Sequence, residues 1–563
     1  MSKNPSPAPV APGASSNIPI WAAILVAVVG LVYSNTLHAP FLHDDFANIV
    51  ENQGIRNIFP IFGASDGTGF VNRPTIRLSF AINHALGGDS VTGYHILSIL
   101  IHAASALTLF ALVLLTLSRS PSLKGRFGGH ETPIAFFTAL LWAVHPIHTQ
   151  AVTYLSQRCE SMAGLFFIAT LYGAALASFG KRPLWGWMVA IPAFFLGLGS
   201  KEILVTAPVV VAAWQFLFAP RPFKDTLRRS APIYAAFLAG ILIFAYFQAV
   251  AKPTGNSLFY DFDLNRWNYF RTEPEVLIHY LKLAFWPNPL VFDYWWPIER
   301  GLGFIPYALV LAAGFLATAF GLYKRHPASF AGVAFFTILA PSSSIIALTT
   351  PAVEYRMYLP LAAIVATVAV AAASFVLKRG RKAAIGLFAA ASIAALALAC
   401  TAFVRNLDYK DWYTIWMDTA EKRPDNPRAQ ENLGVIISDQ GDLLGGMARY
   451  KKAIAIDSRY TTAYYNVGKS LAMQNRHREA VEYYIKATRL APGFWRIWLS
   501  LGISQCLSGS WDDGVKSFET ALRLDPGNPQ IMQNLQKARR GPNGQNTGEE
   551  PSSVETSQKE TSG

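Results

Sequence analysis

Long apolar runs broken by short polar segments fill the chain up to about residue 405, and a shorter-period amphipathic pattern follows. A helix needs about 20 apolar residues to cross a bilayer. Runs near 19–37, 94–117, 133–149, 162–179, 184–199, 203–219, 231–250, 303–322, 328–346, 357–377 and 383–404 approach that length, about 11 in all. Several are short and predict tilted or partly re-entrant helices. The pattern predicts an all-α chain whose first 400 or so residues form a polytopic membrane helical bundle. The region 145–160 is the least regular. The first run, from Ile18, lacks a strong basic segment before it and a clear small-residue cleavage site, so it reads as an uncleaved first span.

Beyond the last run a different period appears. Gly434, Gly468 and Gly502 stand 34 residues apart. The same offset joins Leu433, Val467 and Leu501, then Tyr450, Tyr484 and Phe518, then Ala453, Ala487 and Ala521. Ser458, Pro492 and Pro526 close each unit. Small residues at the helix crossings and Pro at the unit's end mark a tetratricopeptide array of helix pairs, stacked into an α-solenoid with a concave groove. Trp416 and Pro424 add a half-repeat, and a capping helix is expected near 528–540. The expected domains are therefore a disordered tail over 1–17, the membrane domain over 18–405, the repeats over 406–540 and a second disordered tail over 541–563.

Composition agrees with a membrane body. Of 563 residues, 52% are hydrophobic and only 15% charged, fewer than a soluble protein of this size carries. The net charge of +13 does not point to nucleic acid, because the excess sits in short clusters between apolar runs. These are Arg119/Lys124/Arg126, Lys181/Arg182, Arg221/Lys224/Arg228/Arg229, Lys324/Arg325 and Lys378/Arg379/Arg381/Lys382. Alternate loops carry them, which puts them on the cytoplasmic side and the repeats outside, provided the span count is odd. An even count would return the repeats to the cytoplasm. The three cysteines, Cys159, Cys400 and Cys506, show neither a disulfide framework nor metal-ligand spacing. No Asn-x-Ser/Thr sequon with x other than Pro occurs, which favours a bacterial inner membrane with periplasmic repeats over an endoplasmic reticulum membrane with lumenal ones.

The two longest loops, about 38–93 and 251–302, fall on the outer side and hold much of the unusual polar chemistry. Asp44 and Asp45 are adjacent carboxylates beside a bilayer, either a solvated helix cap or a pair in which one acts as base while the other orients it or binds a cation. Arg73 and Arg77, four apart, are either a phosphate clamp or snorkelling anchors. His145 and His148, Arg158 and Glu160, Lys201 and Glu202, and Glu354 and Arg356 are each weak alone, but all lie on the outer face. If the loops fold together, they line one pocket of mixed charge. The stretch from Trp286 to Pro297, with Asp293 among its aromatic residues, reads as an interfacial belt or as a wall for a sugar or an isoprenoid.

This combination resembles the transmembrane and tetratricopeptide-repeat O-mannosyltransferases, and more broadly the C-type glycosyltransferases. The resemblance rests on Asp44-Asp45, Tyr94-His95 with His102, His145 to Thr149, Arg158 with Glu160, Lys201-Glu202, Asp293-Tyr294-Trp295, Glu354 to Arg356 and Tyr358 to Pro360. It covers nearly the whole chain apart from the tails. Gln150 and Tyr355 depart from it, where an acid and a His are common. The resemblance implies a polyprenyl-phosphate sugar donor, mannose or another hexose, and a protein hydroxyl acceptor, with the repeats holding acceptor or partner. It implies Asp44 or Asp45 as base, Arg158, Lys201 and Arg356 toward the phosphate, and His145, His148, Glu160 and Glu354 toward the sugar or around it. Arg73, Arg77, Glu202 and Asp293 complete the expected substrate-binding set. No cofactor is required; a divalent cation, Mg or Mn, at the Asp pair is an option that some relatives use. Competing readings are transfer to an envelope lipid or polysaccharide, and a non-catalytic scaffold that recruits proteins through its repeats. Internal symmetry of the kind expected of a transporter is not visible.

Overall fold

The structure, a computed structural model, describes residues 17–59, 73–250, 265–344 and 347–541. The two expected disordered tails lie almost wholly outside these residues. The described residues are helical, with turns and loops between the helices and no strand.

The chain forms two compact units. The larger contains the described residues up to 250, then 265–290 and 298–411. Its helices are α1 (Ile18–Tyr33), α2 (Pro74–Gly87), α3 (Val91–Arg119), α4 (Glu131–Ala143), α5 (Thr149–Thr153), α6 (Arg158–Phe179), α7 (Leu184–Leu198) and α8 (Ala207–Phe218). They continue as α9 (Phe223–Arg229), α10 (Ala231–Val250), α11 (Arg266–Phe285), α12 (Ile305–Tyr323), α13 (Ser329–Leu339), α14 (Pro360–Val376) and α15 (Arg381–Asn406).

Six helical stretches are long and apolar enough to cross a membrane: Ile18–Thr36, Val91–Arg119, Leu155–Phe179, Ile305–Tyr323, Pro360–Arg379 and Arg381–Lys410. A seventh appears if α9 and α10, bent by 68°, count as one. Length and composition thus support six or seven crossings among the described residues, and not clearly the expected 11 or so. Helix length explains the difference. α4 has 13 residues and α13 has 11, which at 1.5 Å per residue is under ~20 Å, short of a ~30 Å hydrocarbon core. The apolar windows at 184–199 and 203–219 likewise become short helices. Hydropathy alone counted them as crossings, although each is shorter than the ~20 residues a crossing needs.

Small residues allow the closest helix approach. A Cβ on Gly173 would lie 2.5 Å from the Ala190 nitrogen, and one on Gly186 would lie 2.3 Å from the Ala177 nitrogen, so α6 and α7 meet backbone to backbone. Asn406 clasps the ends of the first and last long helices. Its amide donates to the Val32 carbonyl and to Asn35, each at 2.9 Å, and its oxygen accepts from Thr153 at 3.2 Å.

The smaller unit holds α16 (Trp412–Lys422), α17 (Pro427–Asp439), α18 (Leu443–Ile456), α19 (Thr461–Met473), α20 (His477–Leu490), α21 (Trp495–Leu507), α22 (Trp511–Leu524) and α23 (Pro529–Arg540). The 34-residue period now has a physical cause. A Cβ on Gly434, Gly468 or Gly502 would stand 2.5–2.8 Å from the ring of Tyr450, Tyr484 or Phe518, the aromatic residue of the paired helix. Ala453, Ala487 and Ala521 are fully buried at the same crossings. The segment Val291–Pro297, which precedes α12 in the chain, belongs to this unit. Phe292 meets Trp416 edge-on at 5.3 Å, and Trp295 meets Tyr460 at 5.5 Å. This stretch of the aromatic segment is therefore packed on the repeats, which neither the belt nor the sugar-wall reading anticipated.

Candidate active site

Most of the candidate site residues of the larger unit gather at one end of its helices, where α3 and α6 start and where turns lead into α8 and α14. The two aspartates separate. Asp45 is 1% exposed. Its Oδ1 accepts from the Ser156 nitrogen at 2.7 Å and from the Ser156 hydroxyl, and its Oδ2 accepts from the Leu42 nitrogen at 3.0 Å. Burial pushes the Asp45 carboxyl up to about 7, against these hydrogen bonds, which favour the anion, and with a smaller push from Asp44. The Asp44 side chain is 48% exposed and its carboxylate lies 3.4 Å from His43 Nε2. Its backbone nitrogen donates to the Tyr154 hydroxyl at 3.0 Å. His43 sits at φ +43°, in the left-handed region that His, Asn and Asp enter more often than other side chains. One carboxylate thus fastens the first long loop to the turn before α6, and the adjacent one projects from it.

Beyond that turn lies a network of opposite charges. Lys201 forms an ion pair with Glu160 and sits 5.2 Å from the Tyr355 ring centre. Arg73 pairs with Glu202 at 3.1 Å, and the Thr75 nitrogen donates to the Gly199 carbonyl at 2.9 Å, which ties the start of α2 to the turn before Lys201. Burial pushes the Glu202 carboxyl up, but Lys201 and Arg73 together hold it below its usual value. Arg73, Glu160, Lys201 and Glu202 therefore meet in one place.

Other expected residues are committed to structure. Arg158 is fully buried and donates to Asn83 at 2.7 Å, to the Tyr94 carbonyl at 2.7 Å and to Ser98 at 3.1 Å, with its guanidinium 4.4 Å from the Phe80 ring centre. It locks α6 to α2 and α3. Arg77 Nε donates to the Gly54 carbonyl at 2.8 Å. Arg356 donates to the carbonyls of Thr350, at 2.8 Å, and Pro351. Glu354 is buried, and its nitrogen and that of Tyr355 both donate to Gln150 Oε1, at 3.1 and 3.3 Å. The residue that replaces the expected acid at 150 therefore shapes the turn into α14. His145 and His148 flank Pro146 in a tight turn rather than sharing a helix face. His148 packs 4.8 Å from the rings of both Trp142 and Tyr358, and His102 bonds the Tyr358 hydroxyl at 2.8 Å.

Asp293 lies in the smaller unit, where its carboxylate pairs with Arg428 at 2.7 Å and its carbonyl accepts from Asn426 at 2.9 Å. Among the described residues no three His, Cys, Asp or Glu side chains converge closely enough to hold a metal ion.

Sequence reasoning passed over Ser156, which holds Asp45, and Glu273, which is buried in α11. Burial raises the Glu273 carboxyl to about 7 despite the opposing pull of Arg356. An acid immediately before Pro274 in a helix was the available signal.

Comparison with known proteins extends this picture. A tetratricopeptide repeat family model matches residues 465–529. The chain is 30% identical over 233 residues to Protein O-mannosyl-transferase TMTC2 of Homo sapiens, covering 37% of this chain and 25% of that protein. It is 23% identical over 521 residues to Protein O-mannosyl-transferase TMTC3 of Mus musculus, covering 83% of this chain and 54% of that protein. The chain thus spans a quarter to about half of the length of these relatives. Among solved structures, MamA from Desulfovibrio magneticus RS-1 is 18% identical with a TM-score of 0.22, covering 26% of this chain and 81% of that one, a likeness too slight to bear on function. The chain, helical over its described residues, with membrane-length apolar helices and a tetratricopeptide-repeat domain, is similar to the protein O-mannosyl-transferases of the TMTC group.

Proposed function

We propose that this protein transfers a sugar, mannose or another hexose, from a polyprenyl phosphate to a protein hydroxyl on the non-cytoplasmic face of a membrane, with the repeats holding the acceptor or a partner. The observation that carries the reading is the division of labour between Asp44 and Asp45. Asp45 is bonded on both oxygens and buried, and Asp44 is held beside it with its carboxylate half exposed.

In this reading the acceptor hydroxyl oxygen attacks the anomeric carbon, the bond from that carbon to the phosphate oxygen breaks, and the hydroxyl proton passes to Asp44. The leaving polyprenyl phosphate gains negative charge as the sugar takes on oxocarbenium character. Arg73 and Lys201 are the groups assigned to that charge. Each is ion-paired but partly exposed, whereas Arg158 and Arg356 have their donors engaged inside the fold. Glu160 and Glu202 hold the two cations in place. Asp45 is a positioning residue that acts through the loop carrying Asp44. The sidedness rests on the basic loops, which belong on the cytoplasmic side, together with an odd number of crossings, as when α9 and α10 count as one span.

The test is mass spectrometry of envelope or secretory-pathway proteins and glycolipids from cells with and without the chain. Loss of hexose from Ser or Thr of specific proteins supports the proposal. Loss from glycolipids alone moves the acceptor class, and unchanged profiles of both overturn the transferase reading.

A further inference from the structure

The larger unit contains a cavity of about 430 Å³ that the catalytic proposal does not use. That volume lies within the ~300–1,000 Å³ range of ligand sites. It is lined by α3, α6, α8, α13 and α14, through apolar side chains such as Val113, Phe167, Trp214, Phe330, Ile338 and Val370. One end reaches Leu359, beside the turn that carries Glu354 and Arg356. The opposite end is basic: Arg126 lies beyond the C-terminus of α3, Lys378 beyond that of α14, and His326 in the turn between α12 and α13. Phe218, which ends α8, meets Phe330, near the start of α13, at 5.9 Å, so these helix ends share that level.

All three basic residues are exposed. Among the described residues neither Arg126 nor Lys378 has a carboxylate within ion-pair distance, unlike Arg73 and Lys201 at the other end. An isoprenoid tail alone gives two such cations nothing to bind. A lipid with an anionic phosphate head and apolar chains satisfies both parts of the cavity. Basic pockets between membrane helices on the cytoplasmic side hold anionic head groups in this way, each Lys or Arg near the surface contributing ~1 kcal/mol.

We propose that this cavity binds an anionic phospholipid from the leaflet on the side of the basic loops, with its phosphate between Arg126, His326 and Lys378 and an acyl chain along α3 and α14. The site is separate from the proposed glycosyl transfer and stands whether or not that reading holds.

The test uses the full chain purified in mild detergent and native mass spectrometry of the lipids it retains, followed by titration with phosphatidylglycerol and phosphatidylcholine. The wild type should retain an anionic phospholipid and prefer phosphatidylglycerol. Substituting Arg126→Ala, His326→Ala and Lys378→Ala together should weaken phosphatidylglycerol binding by about 5-fold for each of the two cations, Arg126 and Lys378. The pair Lys181→Ala and Arg182→Ala, basic residues that do not line the cavity, should leave it unchanged. Ala366→Trp, which fills the apolar wall and keeps the cations, should also expel the lipid. Melting curves show whether each variant is folded. Equal binding of phosphatidylcholine, full retention by the triple variant, or stabilisation by inorganic phosphate equal to that by the lipid would each overturn the proposal. Displacement by a polyprenyl phosphate that the triple variant still binds equally well would also overturn it, by assigning the cavity to an isoprenoid chain.

Discussion

The repeats and the membrane unit are both built of packed helices, yet they use their polar and small residues differently. In the repeats one contact recurs. Gly434, Gly468 and Gly502 each admit one aromatic ring, and Ala453, Ala487 and Ala521 each let the paired helix close. In the membrane unit single polar residues make contacts that occur once each. Arg158 joins three helices, Asn406 clasps two others, Asp45 ties a loop to a turn, and Gln150 caps the turn at Glu354. Repetition spreads stability over equivalent contacts, whereas single-use contacts concentrate it.

The largest effect expected from this contrast is at Arg158. Arg158→Ala removes a buried charge whose donors satisfy Asn83, Ser98 and the Tyr94 carbonyl. It should cost about 3–5 kcal/mol, because buried acceptors lose their donor and a large cavity is left, and should leave little folded protein, as read by detergent melting curves. A repeat position should be milder and local. Gly468→Leu forces a side chain toward Tyr484, where even a Cβ would stand 2.8 Å from the ring. It should cost about 1–3 kcal/mol. Hydrogen exchange should quicken in α19 and α20 and stay unchanged in α3 and α6. Exchange that quickens equally in the membrane helices would break the comparison.

Asp293 sharpens it further. Asp293→Ala leaves Arg428 without its carboxylate and should loosen α17 and Val291–Pro297 at a cost of about 1–3 kcal/mol, seen by hydrogen exchange, without disturbing the network around Lys201.

The repeats were readable because a recurring contact at fixed spacing writes itself three times into the sequence. The membrane body was readable as apolar helices, but not in their number. A buried 13-residue helix such as α4 and a spanning helix share the same composition, and only length separates them. The candidate residues of the larger unit could be picked out as charges in apolar surroundings. Their partners could not, because only tertiary folding joins pairs such as Asp45 and Ser156, 111 positions apart, or Arg73 and Glu202, 129 apart. The same reason hid Asp293, which sits in a loop of the membrane half by sequence and in the repeat unit by structure.

A smaller, pH-dependent effect should distinguish Asp45. Burial raises its carboxyl from 3.8 to about 7, so the folded state holds a proton there that the unfolded state releases. Its contribution is fully present below about pH 4 and is lost as pH rises through about 7. Melting temperature across that window should fall less steeply in Asp45→Asn than in the wild type. The smallest effect on stability is expected at Asp44, whose side chain is half exposed. Asp44→Asn should change stability by no more than about 0.5 kcal/mol.

That near-neutral fold makes Asp44 the decisive position. The measurement is transfer of labelled hexose from a polyprenyl phosphate to a Ser- or Thr-bearing acceptor by the purified full chain, wild type against Asp44→Asn, with melting curves run on the same samples. The account predicts an unchanged melting temperature and a loss of at least about 100-fold in transfer rate, the scale of a missing general base. Equal transfer by the two proteins, or none by a folded wild type across acceptors identified in cells, would contradict it.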